Sequence, residues 1–487
     1  MVVNSLAFLA FVTLAAILYY VVPKKFQYIF LLIASYSFYV LAGVGNIACL
    51  LLATLVTWAV TCSLEAGRQT RSKKGQKTIL VIGIVVVLSL LLCSKMGSFI
   101  APLGVSYFSL QAIGYMLDAH KGRVKPEKNI LKTALFLGYF PQITQGPIGR
   151  FKELSPQLYE ERKFNYEDLR YGCQRILIGF FKKTVIADRL NPLVKDIFAN
   201  YTELSGFTIV MGCIYMTFQL YADFAAYSDI VCGVSRIFGI RLRENFTTPF
   251  FSTSFSAYWR CWHISLSSWF RDYVFYPLSI SKPATKLGKW TRKRLPKSIA
   301  KLTPIVFATA IVWLGTGLWH DVSVQYLIWG LANGGVMIIA LYMEPLFVKW
   351  KEKLHLKDEN KAFHCFKIVR TFAIVALLKV FPAASSPTQS FVMIGKIFTD
   401  FSFSLHREAI IPGWYISSLL ITVFGLAVFF IISLLEYKSK GIENLLERFS
   451  KQNVFVRWAV YMLLFVSILW FGKFGSDMVG GFEYAQY

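Results

Sequence analysis

The chain has 487 residues, 55% of them apolar and 16% charged, against roughly 25% charged in an ordinary soluble domain, which argues against a soluble enzyme. Its 52 Lys and Arg against 27 Asp and Glu give a formal charge of +25. Those cations lie between apolar runs and are not interleaved with a recognisable binding module, which argues against a nucleic-acid partner and for a lipid bilayer.

Uncharged or nearly uncharged runs at 2–23, 26–64, 96–117, 302–320, 322–343 and 409–435 each reach or exceed the ~18 to 20 residues of a spanning helix. The prediction is an all-α polytopic membrane protein, one membrane domain over 1–487, with about ten to twelve spanning or re-entrant segments. The first run lacks a basic start and a small-residue cleavage site, so it reads as a retained helix. The run at 26–64 is long enough for two helices turning near 43–45. The 67–77 stretch carries Arg68, Arg71, Lys73, Lys74 and Lys77 without an acid and is placed in the cytoplasm, which puts the N-terminus outside.

The 135–156 stretch holds Pro141, Gln142, Gln145, Gly146, Pro147 and Gly149 in an apolar setting. Backbone freed by Pro and Gly is tolerated at membrane depth only inside protein or against water, so the stretch reads as re-entrant, the alternative being a surface loop. Asp223 and Asp229 are acids in an apolar setting and call for partners such as Arg236, Arg241 or Arg243. From 258 to 273, Trp259, Trp262 and Trp269 with Arg260, Arg271 and Asp272 suit an amphipathic interfacial or cavity-lining helix that carries His263.

The 282–301 stretch has eight basic residues and no acid, and 349–370 and 438–457 are also rich in Lys and Arg, so all three are placed in the cytoplasm. The 302–343 stretch then makes an out-and-back excursion, with His320 about 27 Å along it at 1.5 Å per residue. His320 and Asp321 stand there in a stretch without Lys, Arg or Glu, either at an outer turn or, with Gly315 and Gly317 upstream, on a broken helix lining a cavity. The last run, 458–471, carries the C-terminus outside.

The eight cysteines (Cys49, Cys62, Cys93, Cys173, Cys213, Cys232, Cys261 and Cys365) show no C-x-x-C and read as buried thiols, with neither a disulfide framework nor a metal site. Neither a P-loop nor a dinucleotide fingerprint in the right context is present, which disfavours ATP-driven transport. Two deeply placed histidines leave general base chemistry as the economical enzymatic reading, since neutral imidazole, with an unperturbed pKa near ~6.5, accepts a proton near neutral pH.

A set of motifs follows in order: Gln219, Tyr221, Asp223, Tyr227, Ser228 and Asp229; Glu244, Asn245 and Phe246; Pro249 and Phe250; Trp259, Arg260, Trp262, His263, Ser265 and Ser267; Trp269, Arg271, Asp272 and Tyr273; Gly317, Trp319 and His320. In this order and spacing the chain resembles the membrane-bound O-acyltransferases. Pro141, Gln142, Gln145, Gly146, Pro147 and Arg150, with the N-terminal pattern, are similar to the bacterial branch that includes the alginate O-acetylation membrane subunit and the teichoic-acid D-alanylation acyltransferase. The resemblance covers nearly the whole chain.

It implies a ring-like helix bundle with a thin centre, where an outward funnel meets a narrower passage from the cytoplasm. The catalytic histidine falls on His320 and the family's second histidine on His263, while Trp259, Arg260, Trp262, Ser265, Arg271, Asp272, Trp319, Asn245, Asp223, Asp229 and Gln145 are expected along the substrate and donor passage. No bound cofactor is implied; the donor is a cytoplasmic thioester, acyl-CoA or an acylated carrier protein, and the acceptor an extracellular polysaccharide or wall polymer. The ending 482–487, with Phe482, Tyr484 and Tyr487, resembles an F-x-Y-x-x-aromatic acyl relay, so Tyr484 joins His320 and His263 as a catalytic candidate. The resemblance also implies an extracellular serine-hydrolase-like (SGNH) partner for the second transfer; the chain shows no G-x-S-x-G elbow of its own.

The expected activity is O-acetyl transfer, with D-alanyl transfer to teichoic acid as the alternative and, from another class, a channel or transporter. Two departures from the family pattern are Asp321, an acid beside the base that could raise its pKa or orient it, and 377–384, where Pro382 should break a helix.

Overall fold

The computed structural model describes residues 3–43, 47–96, 103–403 and 416–473. Among them, seven helices are long and apolar enough to cross a membrane: Ile47–Ala66, Lys73–Lys95, Gly206–Ile237, Thr303–His320, Val324–Lys353, Leu420–Ser439 and Val454–Phe471. Leu6–Val21 and Gln27–Ala42 are shorter apolar helices. A helix satisfies every backbone group internally, the condition a hydrocarbon environment imposes. Starts are marked by polar caps: the side chains of Ser5, Ser72 and Asn453 accept from the backbone N–H groups of Phe8, Gly75 and Phe455. The all-α polytopic architecture holds, and the chain is a multi-pass membrane protein.

The residues fall into two compact units, one built from 3–181 and 224–244, the other from 182–223 and 245–473. In the first, Phe8, Phe38, Phe140 and Phe238 form edge and tilted ring contacts, and Tyr115 stacks on Phe151 at 3.7 Å. The 135–156 stretch is helix to Gly138, buried turns from 139 to 146, and helix again from Phe151. Gln142 and Gln145 are buried with it, so this non-helical backbone lies inside protein and is not a surface loop.

The 96–117 run does not form one spanning helix. Gly104, at φ 73°, stands immediately before the helix Val105–His120, and a Cβ there would collide with the Ile143 carbonyl, so only glycine fits. That helix takes in Asp118 and is buried along most of its length, an interior element. The preceding helix starts within the basic stretch, so Lys73, Lys74 and Lys77 ride on its first turns.

The partners expected for the buried acids are corrected. Asp229 pairs with Arg175 at 2.6 Å, and Arg175 also donates to both oxygens of Glu244 at 2.8 and 3.0 Å. Arg236 goes to Asp168 and Arg243 to Glu153. The reason is helical geometry: Arg236 stands two turns, about 10 Å, beyond Asp229 on the same helix. The helix Tyr166–Phe181 brings Arg175 from the side.

The cysteine expectation also needs correction. All eight are free thiols, but only Cys213 and Cys232 are buried, while Cys93, Cys173 and Cys365 are exposed. A cysteine within an apolar helix is buried only when its face of the helix is.

Candidate functional site

Both candidate histidines lie in the second unit. Thr303–His320 and Val324–Lys353 form a tight helical hairpin, with the Ser323 side chain accepting from the Tyr326 N–H at the turn. Gly317 faces the Tyr326 carbonyl and Gly330 the Trp313 carbonyl, approaches that a side chain at either position would obstruct. The first helix runs unbroken through Gly315 and Gly317 and ends on His320, so the broken-helix expectation gives way to a hairpin turn. The imidazole is nonetheless 7% exposed, held among rings: stacked on Tyr326 at 5.8 Å, edge-on to Trp329 at 5.2 Å and to Trp319 at 4.9 Å.

Asp321 leaves the helix in extended conformation, its N–H donating to the Gly317 carbonyl. Its carboxylate has no hydrogen-bond or ion-pair partner among the described residues, which removes the expectation that it orients the base.

The 258–273 stretch is not one helix. Phe255–Cys261 and Ile264–Phe270 are separated at Trp262 and His263, and His263 sits at φ 45°, ψ 53°, the left-handed region that non-glycine residues occupy at a cost of order 1–3 kcal/mol. The neighbouring loop enforces this. Phe246 and Trp262 make an antiparallel bridge, and the Thr247 N–H donates to the Cys261 carbonyl at 3.1 Å. The Ile264 N–H donates to the Asn245 carbonyl at 2.9 Å, and the Ser265 N–H and hydroxyl donate to Asn245 Oδ1 at 3.3 and 2.7 Å. Asn245 and Ser265 therefore act on the backbone that presents His263, which is 1% exposed.

His263 and His320 meet on one indole: Trp319 lies 5.9 Å from the first ring and 4.9 Å from the second, edge-on to both. Trp259 packs on Trp313 and Trp329, and Trp329 is the ring under His320. Trp262 is buried against Tyr221, Phe246 and Tyr258.

Other expected passage residues of the second unit do not join this group. Arg260 is exposed and donates to Ser256 on its own helix; Arg271, also exposed, pairs with the adjacent Asp272 at 2.9 Å. Asp223 is held by Lys183 at 2.8 Å, and Lys183 also meets Asp188. Gln145 and Asp229 belong to the first unit. Tyr484 and the 482–487 motif lie outside the described residues.

Sequence reasoning missed Tyr326 and Trp329, which pack on His320, and Trp313, which packs on Trp329, because aromatics in an apolar run carry no signal of their own. It also missed Lys183 and Lys379. The rule that flagged Asp223, a charge within an apolar run, applies equally to both lysines. Among the described residues no cluster of His, Cys, Asp and Glu could hold a metal ion. What the arrangement offers is two neutral-capable bases in an aromatic setting, suited to accepting a proton from a hydroxyl.

The membrane-bound O-acyltransferase family model matches residues 31–291. Among curated proteins, the chain is 30% identical to a probable alginate O-acetylase of Pseudomonas putida over 437 residues, covering 85% of this chain and 83% of that one. It is 28% identical to a peptidoglycan O-acetyltransferase of Helicobacter pylori, over 68% of this chain and 66% of the relative. A teichoic acid D-alanyltransferase of Bacillus subtilis is 30% identical over 57% of this chain and 67% of its own length.

Proposed function

Since this chain belongs to the membrane-bound O-acyltransferase family and is an acyltransferase, we propose that it moves a small acyl group, acetyl foremost, from a cytoplasmic thioester to an extracellular polysaccharide or wall polymer. The observation that carries this reading is the pair of buried imidazoles, His263 and His320, each in edge contact with Trp319. His320 is the base.

In the first step His320 takes the phenolic proton of Tyr484 as its oxygen attacks the thioester carbonyl carbon. The C–O bond of an aryl ester forms, the C–S bond breaks, and the thiolate leaves with the proton that His320 returns. A phenol with an unperturbed pKa near ~10 attacks slowly at neutral pH without such help. His263, its ring set by the strained backbone, is proposed to hold the reacting groups in place. In the second step a polymer hydroxyl displaces the tyrosine, assisted by an extracellular serine-hydrolase-like partner. The donor is acyl-CoA or an acylated carrier protein, no cofactor is held, and both termini lie outside, which places 482–487 on the side of the acceptor.

The test is surface O-acylation in cells. His320→Ala should abolish it while the protein stays in the membrane, and Tyr484→Phe should do nearly the same; wild-type acylation in either variant overturns the mechanism. Mass spectrometry of the C-terminal peptide names the acyl group from the adduct on Tyr484. Alanine in place of acetate, released from intact cells by mild base, would select the D-alanyl reading to which the Bacillus relative points.

A further inference from the structure

The second unit contains a buried cation that no anion among the described residues meets. Lys379 caps the helix Lys361–Leu378, is 5% exposed, and has its ammonium 4.8 Å from the centroid of the Trp262 ring. Among the described residues it has no carboxylate or hydrogen-bond partner. Two other deeply buried cations are treated differently: Lys183 is met by Asp223 and Asp188, and Arg175 by Asp229 and Glu244. An ammonium taken out of water is costly to bury, and a single indole face returns only part of that cost. The deficit marks a group whose partner arrives from outside.

A second observation lies on the same indole. Tyr258 stacks on Trp262 at 5.5 Å and is 1% exposed, yet its hydroxyl has no partner among the described residues. Trp259, edge-on to Tyr258 at 5.4 Å, has its indole N–H buried and likewise without a partner. Lys379, Tyr258 and Trp259 thus offer an ammonium, a hydroxyl and an indole N–H along one run of rings, a set matched by a ligand with anionic oxygens. Trp262 immediately precedes His263, so this set adjoins the proposed site of transfer.

We propose that Lys379, with Tyr258 and Trp259, is a specificity site that receives an anionic oxygen group carried by the acyl donor. The group is either the phosphate of a phosphopantetheine arm or a carboxylate ending the acyl chain. The inference rests on the acyl-transfer reading for the identity of the donor, but its test is one of binding.

The experiment uses the full chain in lipid nanodiscs and measures Kd by titration calorimetry for two probe pairs: pantetheine against 4′-phosphopantetheine, and S-acetyl- against S-succinyl-pantetheine. The wild type should bind the anionic member of one pair roughly tenfold or more tighter, the range of a charge-assisted hydrogen bond. The pair that discriminates identifies the source. Lys379→Met should erase that preference and Lys379→Arg keep most of it. Removing an unpaired buried charge should leave the Tm of Lys379→Met equal to or above the wild type, so loss of fold does not confound the result. A wild type indifferent within both pairs, or a preference that survives in Lys379→Met, overturns the proposal. A chain that binds the anionic probe through Lys379 but transfers no acyl group would sink the acyl-transfer reading alone.

Discussion

The Lys183 ammonium lies 2.8 Å from the Asp223 carboxylate, with the two side chains 1% and 0% exposed. Lys183 sits on a π-helical stretch, Lys182–Ala187, and also reaches Asp188 at 2.8 Å, so one cation answers two acids. Asp223→Ala should lower the unfolding free energy by about 3 kcal/mol, the lower end for breaking a buried pair, because Asp188 remains. Thermal unfolding in detergent measures it; an unchanged Tm would show that the pair holds nothing together.

Arg175 makes a forked contact to Glu244 and a further one to Asp229. Lysine cannot reproduce a planar fork that serves two carboxylates. Arg175→Lys should therefore destabilise the chain by about 2 kcal/mol or more, read in the same unfolding assay against Arg243→Lys at the exposed Glu153 pair, which should change little.

The left-handed backbone at His263 separates two roles of one residue. His263→Gly relieves backbone strain of about 1–3 kcal/mol but empties the place of a buried ring at a cost of about 3–5, so stability should fall by about 1–3 kcal/mol. If the imidazole positions reacting groups, the same variant should lose acyl transfer by about 100-fold. Activity falling far more than the folded fraction is the expected result, and activity retained by the folded glycine variant would assign His263 a purely structural part.

Asn245→Ala removes the acceptor for the Ser265 N–H and hydroxyl and should cost about 1–2 kcal/mol, as loss of a helix cap does. Because that cap presents His263, turnover should fall more steeply than stability. Equal losses in kcat and in folded fraction would argue that the cap and the site are independent.

Gly317→Ala forces a methyl toward the Tyr326 carbonyl across the hairpin. Overpacking of this kind costs typically 1–3 kcal/mol, and His320 ends the same helix one turn later. The expected readout is reduced kcat with the protein still in the membrane; wild-type kcat would mean that the hairpin yields without moving the base.

Membrane class, the helix end at Ala42, the pair of helices within 302–343 and the break before Pro382 were legible because each follows from local rules: apolar length, and the ring of Pro382 clashing with the carbonyl four residues back, at Leu378; the rest of the turn expected near 43–45 lies outside the described residues. His263 and His320 were also legible, since a titratable group in an apolar run is conspicuous wherever it folds.

Which groups meet was not legible. Helical period said nothing of Arg175 reaching Asp229 from another helix, of Lys183 serving Asp223, or of Trp319 touching two histidines far apart in the chain. Burial and partnership belong to a helix face and to whatever lies against it, so they arise only when distant segments pack. The amino-acid order alone declared a membrane acyltransferase with two telling imidazoles. Tertiary packing decided that Arg260 and Arg271 face outward, that Asn245 props His263, and that Lys379 is left on Trp262 with no acid among the described residues to answer it.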